Sequence, residues 1–160
     1  MNGNWNDLRE PRQGVLLHYD GSRSDAGAVA WLTKDPRCRV SYHWLILDDG
    51  HSVLIAPPSK RAWHAGVCLP SIPQLTYKDA NSAFYGIAIA ATDGDRATQA
   101  QIAKVLELCR WCFLKEGWPL QETWRIRGHF EEAWPRGRKH DPKGSGPIPV
   151  LDVQLIRDKL

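Results

Sequence analysis

The sequence predicts an α/β fold, with a single mixed central β-sheet flanked by helices. Three observations carry that prediction. Short, apolar, β-rich runs recur along the chain; two of them are joined by the turn Asp48-Asp49-Gly50, which makes an antiparallel hairpin; and residues 98–116 have the spacing of a long amphipathic helix. Strands and helices alternate unevenly around that one hairpin, so the sheet should contain both parallel and antiparallel neighbours.

Taken in order, residues 1–13 are polar, carry Pro11 and read as a lead-in. Residues 15–19 form an apolar run and hence a buried strand. Residues 22–24 are turn formers, and Asp25 is placed to N-cap a short helix over 26–32 that stops before Pro36. Residues 41–47 are β-rich and return through 51–56 as a hairpin, which Pro57-Pro58 ends. Residues 59–83 are loop-rich with little periodicity, and a long irregular segment inside a small domain is often a binding loop. Residues 84–91 are small and apolar on both faces, as a central strand would be. The helix over 98–116 opens with a capping box, Thr98 with Gln101, and closes at Gly117 and Pro119. Its apolar stripe includes Ile102, Val105, Leu106, Cys109, Cys112 and Phe113. Residues 123–127 make the last strand, and 149–160 regain helical spacing through Leu151, Leu155 and Ile156.

At 160 residues the chain reads as one domain, long enough to bury a sizeable core. Charged residues make up 24% and apolar residues 42%, the balance of an ordinary globular protein. A net charge of +3 is too small to imply nucleic acid, and no apolar run approaches the ~20 residues that span a bilayer. The first residues lack a basic stretch followed by an apolar one, so no signal peptide is expected. Four cysteines spell no disulfide framework, which suits a reducing compartment. Cys109 and Cys112 lie mid-helix on the apolar stripe, where core packing fits better than redox chemistry. Eight tryptophans are many for this length, and exposed ones would suit sugar rings or peptides.

The most informative stretch is 127–141, Arg-Gly-His-Phe-Glu-Glu-Ala-Trp-Pro-Arg-Gly-Arg-Lys-His-Asp. It delivers His129 and then Asp141 from an irregular loop. Imidazole and carboxylate are good zinc ligands, and a catalytic zinc usually takes three such groups plus water. His18, alone a core histidine by default, is the natural third, because it and His129 both end strands, and strand ends at one sheet edge converge. Lys139 shares a face with Asp141 if the segment is extended, which would set its ammonium beside the metal. His140 competes with Asp141 as a ligand and is less favoured because it points away from Lys139. A zinc with an open position and a cation beside it suits hydrolysis of a carbonyl compound. Tyr42 and His43 point to opposite faces; Tyr42 fits either a packed aromatic or a phenol that relays a proton or orients water. His64, in the Trp63-His64-Ala65-Gly66 loop, is a candidate fourth ligand or substrate contact. His51 is expected at the surface. Glu131 and Glu132 read as surface charges, with Glu131 kept as an outer partner of His129, and Arg136, Arg138 and Lys143 read as a solvated basic loop.

These residues, taken as an ordered set, resemble the zinc-dependent N-acetylmuramoyl-L-alanine amidases of amidase type 2, whose fold is that of peptidoglycan recognition proteins and phage amidases. The pieces are Leu17-His18-Tyr19, Ser41-Tyr42-His43-Trp44-Leu45-Ile46, Asp49-Gly50, Arg61-Ala62-Trp63-His64-Ala65-Gly66, Asn81, Gly86-Ile87, Arg127-Gly128-His129 and Lys139-His140-Asp141-Pro142, across residues 14–155. The resemblance implies cleavage of the amide between N-acetylmuramic acid and L-alanine in bacterial peptidoglycan. It places Zn2+ on His18, His129 and Asp141, a carbonyl-polarising role on Lys139, and the catalytic tyrosine of the phage-type branch on Tyr42. His64 and Asn81 fall where the family contacts substrate, with Trp63 beside them. Recycling amidases of the family carry a glutamate where this chain has Ala88, which favours the phage-type branch and an endolysin that lyses the wall. The expected partner is peptidoglycan or a muropeptide, with no nucleic acid and no membrane insertion, and the expected state is a monomer made in the cytoplasm that meets the wall if released. Two alternatives stay open: a peptidoglycan-binding recognition domain without catalysis, and a cytosolic muropeptide-recycling amidase.

Overall fold

The computed structural model describes residues 3–160. In chain order its elements are β1 (Trp5–Asn6), β2 (Gly14–Tyr19), α1 (Asp25–Lys34), β3 (Trp44–Ile46), β4 (Ser52–Leu54), β5 (Arg61–Ala62), α2 (Ala80–Ala83), β6 (Phe84–Ile89), α3 (Gln99–Glu116), β7 (Ile126–Gly128), α4 (His129–Glu132) and α5 (Val153–Lys159). The central sheet runs β4-β3-β6-β2-β7. β3, β6, β2 and β7 are parallel neighbours, and only the edge strand β4 is antiparallel, through the hairpin read at Asp48-Asp49-Gly50. β6 is central and buried along its whole length, as its small apolar residues require. A separate two-stranded ladder joins β1 to β5.

Each face of the sheet packs its own layer. Val15, Leu17, Ile87 and Ile89 meet Val105, Cys109, Cys112 and Phe113 of α3, together with Val153 and Ile156 of α5. Cys109 and Cys112 are thus core residues, and burial pushes the Cys109 thiol up to about 12. On the opposite face, α1 contributes Ala28 and Leu32 to a cluster with Tyr42, Leu45 and Ala88, while Leu16 packs with Ala65, Tyr77 and Phe84. This second face carries the site. No helix among the described residues is long and apolar enough to cross a membrane.

Several local expectations need correction. Ser24, not Asp25, caps α1: its hydroxyl accepts the Gly27 N–H at 3.2 Å, and Asp25 sits in the first turn. The strand expected over 41–47 is regular only at Trp44–Ile46, because Ser41 N–H turns to the Trp63 carbonyl at 3.1 Å. The strand expected over 123–127 opens with a 3-10 turn, Thr123–Arg125, and only Ile126–Gly128 joins the sheet. The last helix begins at Val153, where Asp152 accepts the Gln154 N–H at 2.9 Å. The capping box of α3 forms as read, and Gly117 closes it with φ of 69°.

The lead-in is not a loose preface. Asn4 is buried and donates to the Cys38 carbonyl at 2.9 Å. Arg12 is 8% exposed, and its guanidinium donates to the carbonyls of Ser82 and Phe84, both at 2.7 Å, Pro58 at 2.9 Å and Lys60 at 2.6 Å. It also stacks 4.4 Å from the Tyr85 ring centroid. A buried cation persists here because converging carbonyl dipoles replace its water.

Candidate active site

β2 and β7 are parallel neighbours, so their C-terminal ends open on the same edge. His18 is the penultimate residue of β2, and His129 follows β7 directly. The loop after α4 returns Asp141 between them. Asp141 Oδ2 lies 2.7 Å from His18 Nδ1 and 3.1 Å from His129 Nδ1. The three ligand-type atoms lie within 4.8 Å of one another, and all three residues are buried. The imidazole rings of His18 and His129 meet edge-on, with centroids 4.7 Å apart.

Burial pushes the His18 imidazole down to about 4, against the opposing pull of its hydrogen bond to Asp141. For Asp141, burial raises the carboxyl, but the close contacts with the His129 and His18 imidazoles outweigh it and hold the group well below its ordinary range. A neutral imidazole and an ionised carboxylate are the protonation states that coordinate a metal. Two imidazole nitrogens and one carboxylate oxygen, buried and convergent, fit Zn2+ with a position left for water.

The cleft above this trio measures about 290 Å3 and is lined by Tyr42, His64, Lys139 and Asp20 among others. The Tyr42 ring centroid is 5.1 Å from that of His18, and burial pushes its phenol up. Lys139 is exposed, and its ammonium has no hydrogen bond or ion pair among the described residues. It therefore borders the cleft as a free cation, and it also lines an adjoining cavity of about 220 Å3 with Trp63 and Asn81. His140 is exposed and stands apart from the buried trio. His43, on the other side of the strand from Tyr42, takes the Gly86 N–H at Nδ1, 2.8 Å away.

The model of the N-acetylmuramoyl-L-alanine amidase family matches residues 8–144 of this chain. The chain belongs to that family. No curated protein sequence matches it. Among solved structures, a selenomethionine derivative of AmpD is 25% identical with a TM-score of 0.73, the match covering 97% of this chain and 89% of AmpD. The N-acetylmuramyl-L-alanine amidase AmiD of E. coli, in complex with the substrate anhydro-N-acetylmuramic acid-L-Ala-D-γ-Glu-L-Lys, is 19% identical with a TM-score of 0.73. There the match covers 92% of this chain and 57% of AmiD, so the chain spans little more than half that relative. The amidase LysC from Clostridium intestinale URNW is 16% identical over 98% of this chain and 86% of its own, with a TM-score of 0.64. The last two likenesses show the fold.

In this amidase, Ala88 pairs with His18 across β2 and β6 and is fully buried in the cluster that holds Tyr42. An apolar side chain thus stands on the site face of the central strand. Three readings of the sequence need revision nearby. Glu132 is fully buried, not a surface charge: it takes the Arg127 Nε–H at 2.8 Å and the Tyr77 hydroxyl at 2.8 Å, and it also meets the Ser71 hydroxyl. Glu131 serves Arg157 at 2.8 Å and the Gly128 N–H at 2.7 Å, rather than His129. Arg138 is no free surface charge either, since it donates to the carbonyls of Val67 at 2.7 Å and Trp134 at 2.9 Å and borders the cleft. Asp20 and Arg138 were legible only as neighbours of His18 and Lys139 in sequence.

Proposed function

We propose that this amidase is zinc-dependent, with His18, His129 and Asp141 as the ligands, and that it hydrolyses the amide joining N-acetylmuramic acid to L-alanine in peptidoglycan. The observation that carries the reading is the convergence of two buried Nδ1 atoms on one carboxylate oxygen at the floor of an open cleft. A zinc ion held there supplies Lewis-acid polarisation of the scissile carbonyl and an activated water. The chain's own residues do the rest. The Lys139 ammonium stands over the cleft to stabilise the negative charge that develops on the carbonyl oxygen. The Tyr42 hydroxyl orients the attacking water and hands a proton to the departing L-alanine amine. The buried setting of Tyr42 limits competing water around it and strengthens its interaction. Trp63 offers a partly exposed side chain for the substrate in the adjoining cavity.

Tyr42 in the cleft together with Ala88 on β6 supports the phage-type branch, hence an endolysin acting on intact wall. AmiD was crystallised with a soluble anhydromuropeptide, which makes such a fragment the natural competing substrate to test. Purified sacculi and a defined anhydromuropeptide, each treated with zinc-loaded protein and with protein stripped by chelator, should separate these. The expected result is new L-alanine amino termini from sacculi, lost on chelation and restored by zinc. Release only from the soluble fragment would place the chain among recycling enzymes, and release from neither would overturn the catalytic reading.

A further inference from the structure

The outer nitrogens of both histidines end on one short loop. His18 Nε2 lies 3.0 Å from His64 Nδ1, and His129 Nε2 lies 2.8 Å from the Ala65 carbonyl oxygen. A neutral imidazole has one N–H, and a carbonyl can only accept. His129 therefore carries its hydrogen on Nε2, leaving the Nδ1 lone pair facing Asp141. His18 reaches the same tautomer if Nε2–H donates to His64 Nδ1. His64 then bears its own hydrogen on Nε2, which faces the Phe84 carbonyl at 3.3 Å. With a cation between the two Nδ1 atoms and Asp141, one assignment satisfies all three rings.

The loop is itself fixed. Asn81 Oδ1 accepts the backbone N–H of His64 at 2.9 Å and of Ala65 at 2.8 Å. The His64 ring lies flat against β6 at Gly86, where a Cβ would sit only 2.6 Å from its Cγ. His64 is 6% exposed and Asn81 8% exposed, so most of each side chain is taken up by these internal contacts.

We infer that His64, Ala65 and Asn81 form a positioning clamp for the metal-binding imidazoles, in place of the substrate contacts that resemblance implies for His64 and Asn81. His64 Nδ1 and the Ala65 carbonyl hold His18 and His129 in the tautomer whose Nδ1 lone pairs converge, and Asn81 anchors the loop that carries both acceptors. This rests on the zinc reading above. Outer partners of this kind fix ring orientation and raise ligand basicity.

The test measures zinc affinity by competition with a chromophoric chelator, and the visible spectrum of the cobalt-substituted protein, on the full chain. His64→Phe keeps a ring of similar size but removes the acceptor; His64→Asn returns an oxygen near the position of Nδ1. Loss of such a partner should weaken zinc binding by roughly 10–100-fold in His64→Phe, with His64→Asn recovering to within about threefold of the parent. Asn81→Ala should weaken zinc binding, and Asn81→Asp, which keeps the acceptor, should restore it. Cobalt bands should shift in His64→Phe and Asn81→Ala and not in their conservative partners. Parent-like zinc affinity and cobalt spectrum in a folded His64→Phe would overturn the clamp while leaving the zinc site standing. If His64→Phe does not fold, equal affinities of Asn81→Ala and the parent overturn it instead. A parent chain that binds no zinc would remove the zinc reading and the clamp together.

Discussion

Gly86→Ala is the sharpest probe of how tightly the loop is packed on the sheet. An ideal Cβ at this position falls 2.6 Å from His64 Cγ and 2.8 Å from its Cδ2 and Nδ1. Comfortable contact between such atoms needs about 3.5 Å or more, so the ring must retreat by about 1 Å. Gly86 itself is pinned, since its N–H donates to His43 Nδ1 and its carbonyl accepts the His43 N–H, each at 2.8 Å. A shift of that size off the ring plane lengthens the 3.0 Å contact between His18 and His64 to about 3.2 Å and bends it. Overpacking costs about 1–3 kcal/mol and the bent hydrogen bond loses only part of its roughly 1 kcal/mol, so we predict about 1–3 kcal/mol in all. Urea denaturation of the zinc-free protein measures it. The decisive comparison is a cycle with His64→Ala, where the new methyl enters vacated space and Gly86→Ala should cost less than about 1 kcal/mol. An equal cost in both backgrounds would refute the steric argument.

Lys139→Ala should retain zinc and lose about a hundredfold or more in turnover on muropeptide, the usual effect of deleting an oxyanion stabiliser; undiminished turnover would remove Lys139 from the mechanism. His43 is pushed down from 6.5 to about 3 by burial, with the Arg12 charge adding to the effect. Below 6.5 the unfolded chain takes up a proton that the folded chain refuses, so this contribution is complete above 6.5 and is lost as pH falls towards 3. Urea midpoints between pH 7 and 4 should therefore fall less steeply in His43→Asn, which keeps an acceptor for Gly86 and has nothing to protonate; parallel slopes would count against it. Glu132→Ala leaves the buried Arg127 cation with only the more distant Glu131 carboxylate, 3.5 Å away, and the Ser71 hydroxyl, and we predict a loss of about 3 kcal/mol by chemical denaturation, with a change under about 1 kcal/mol contradicting this network.

What could be read from the sequence was what local pattern encodes. The capping box at Thr98, the hairpin at Gly50 and the buried centre of β6 depend on residues a few positions apart, and each stands where the pattern put it. His18, His129 and Asp141 could be brought together on paper because two strand ends must share an edge in a parallel sheet. Arg12 and Glu132 escaped for the opposite reason. A lone charge in a polar stretch looks solvated until its partners are known, and those of Arg12 lie 46 to 72 positions away. The Tyr77 hydroxyl that completes Glu132 is 55 positions distant. The footing of the His64 loop was hidden likewise, since nothing in its sequence neighbours reveals the Gly86 surface on which its ring rests.

The way Arg12 is held bears on how this domain can be cut. A version started at residue 14, where the first long strand begins, would discard one guanidinium and strip four backbone oxygens of their donor at once. It would also discard β1 and so leave β5, which runs directly into Trp63, without its ladder partner. All three side chains of the convergent trio would survive such a truncation, yet the scaffold that steadies their outer nitrogens would be unmoored from beneath. Grafting experiments and shortened variants should therefore keep residues 3–13 with the rest.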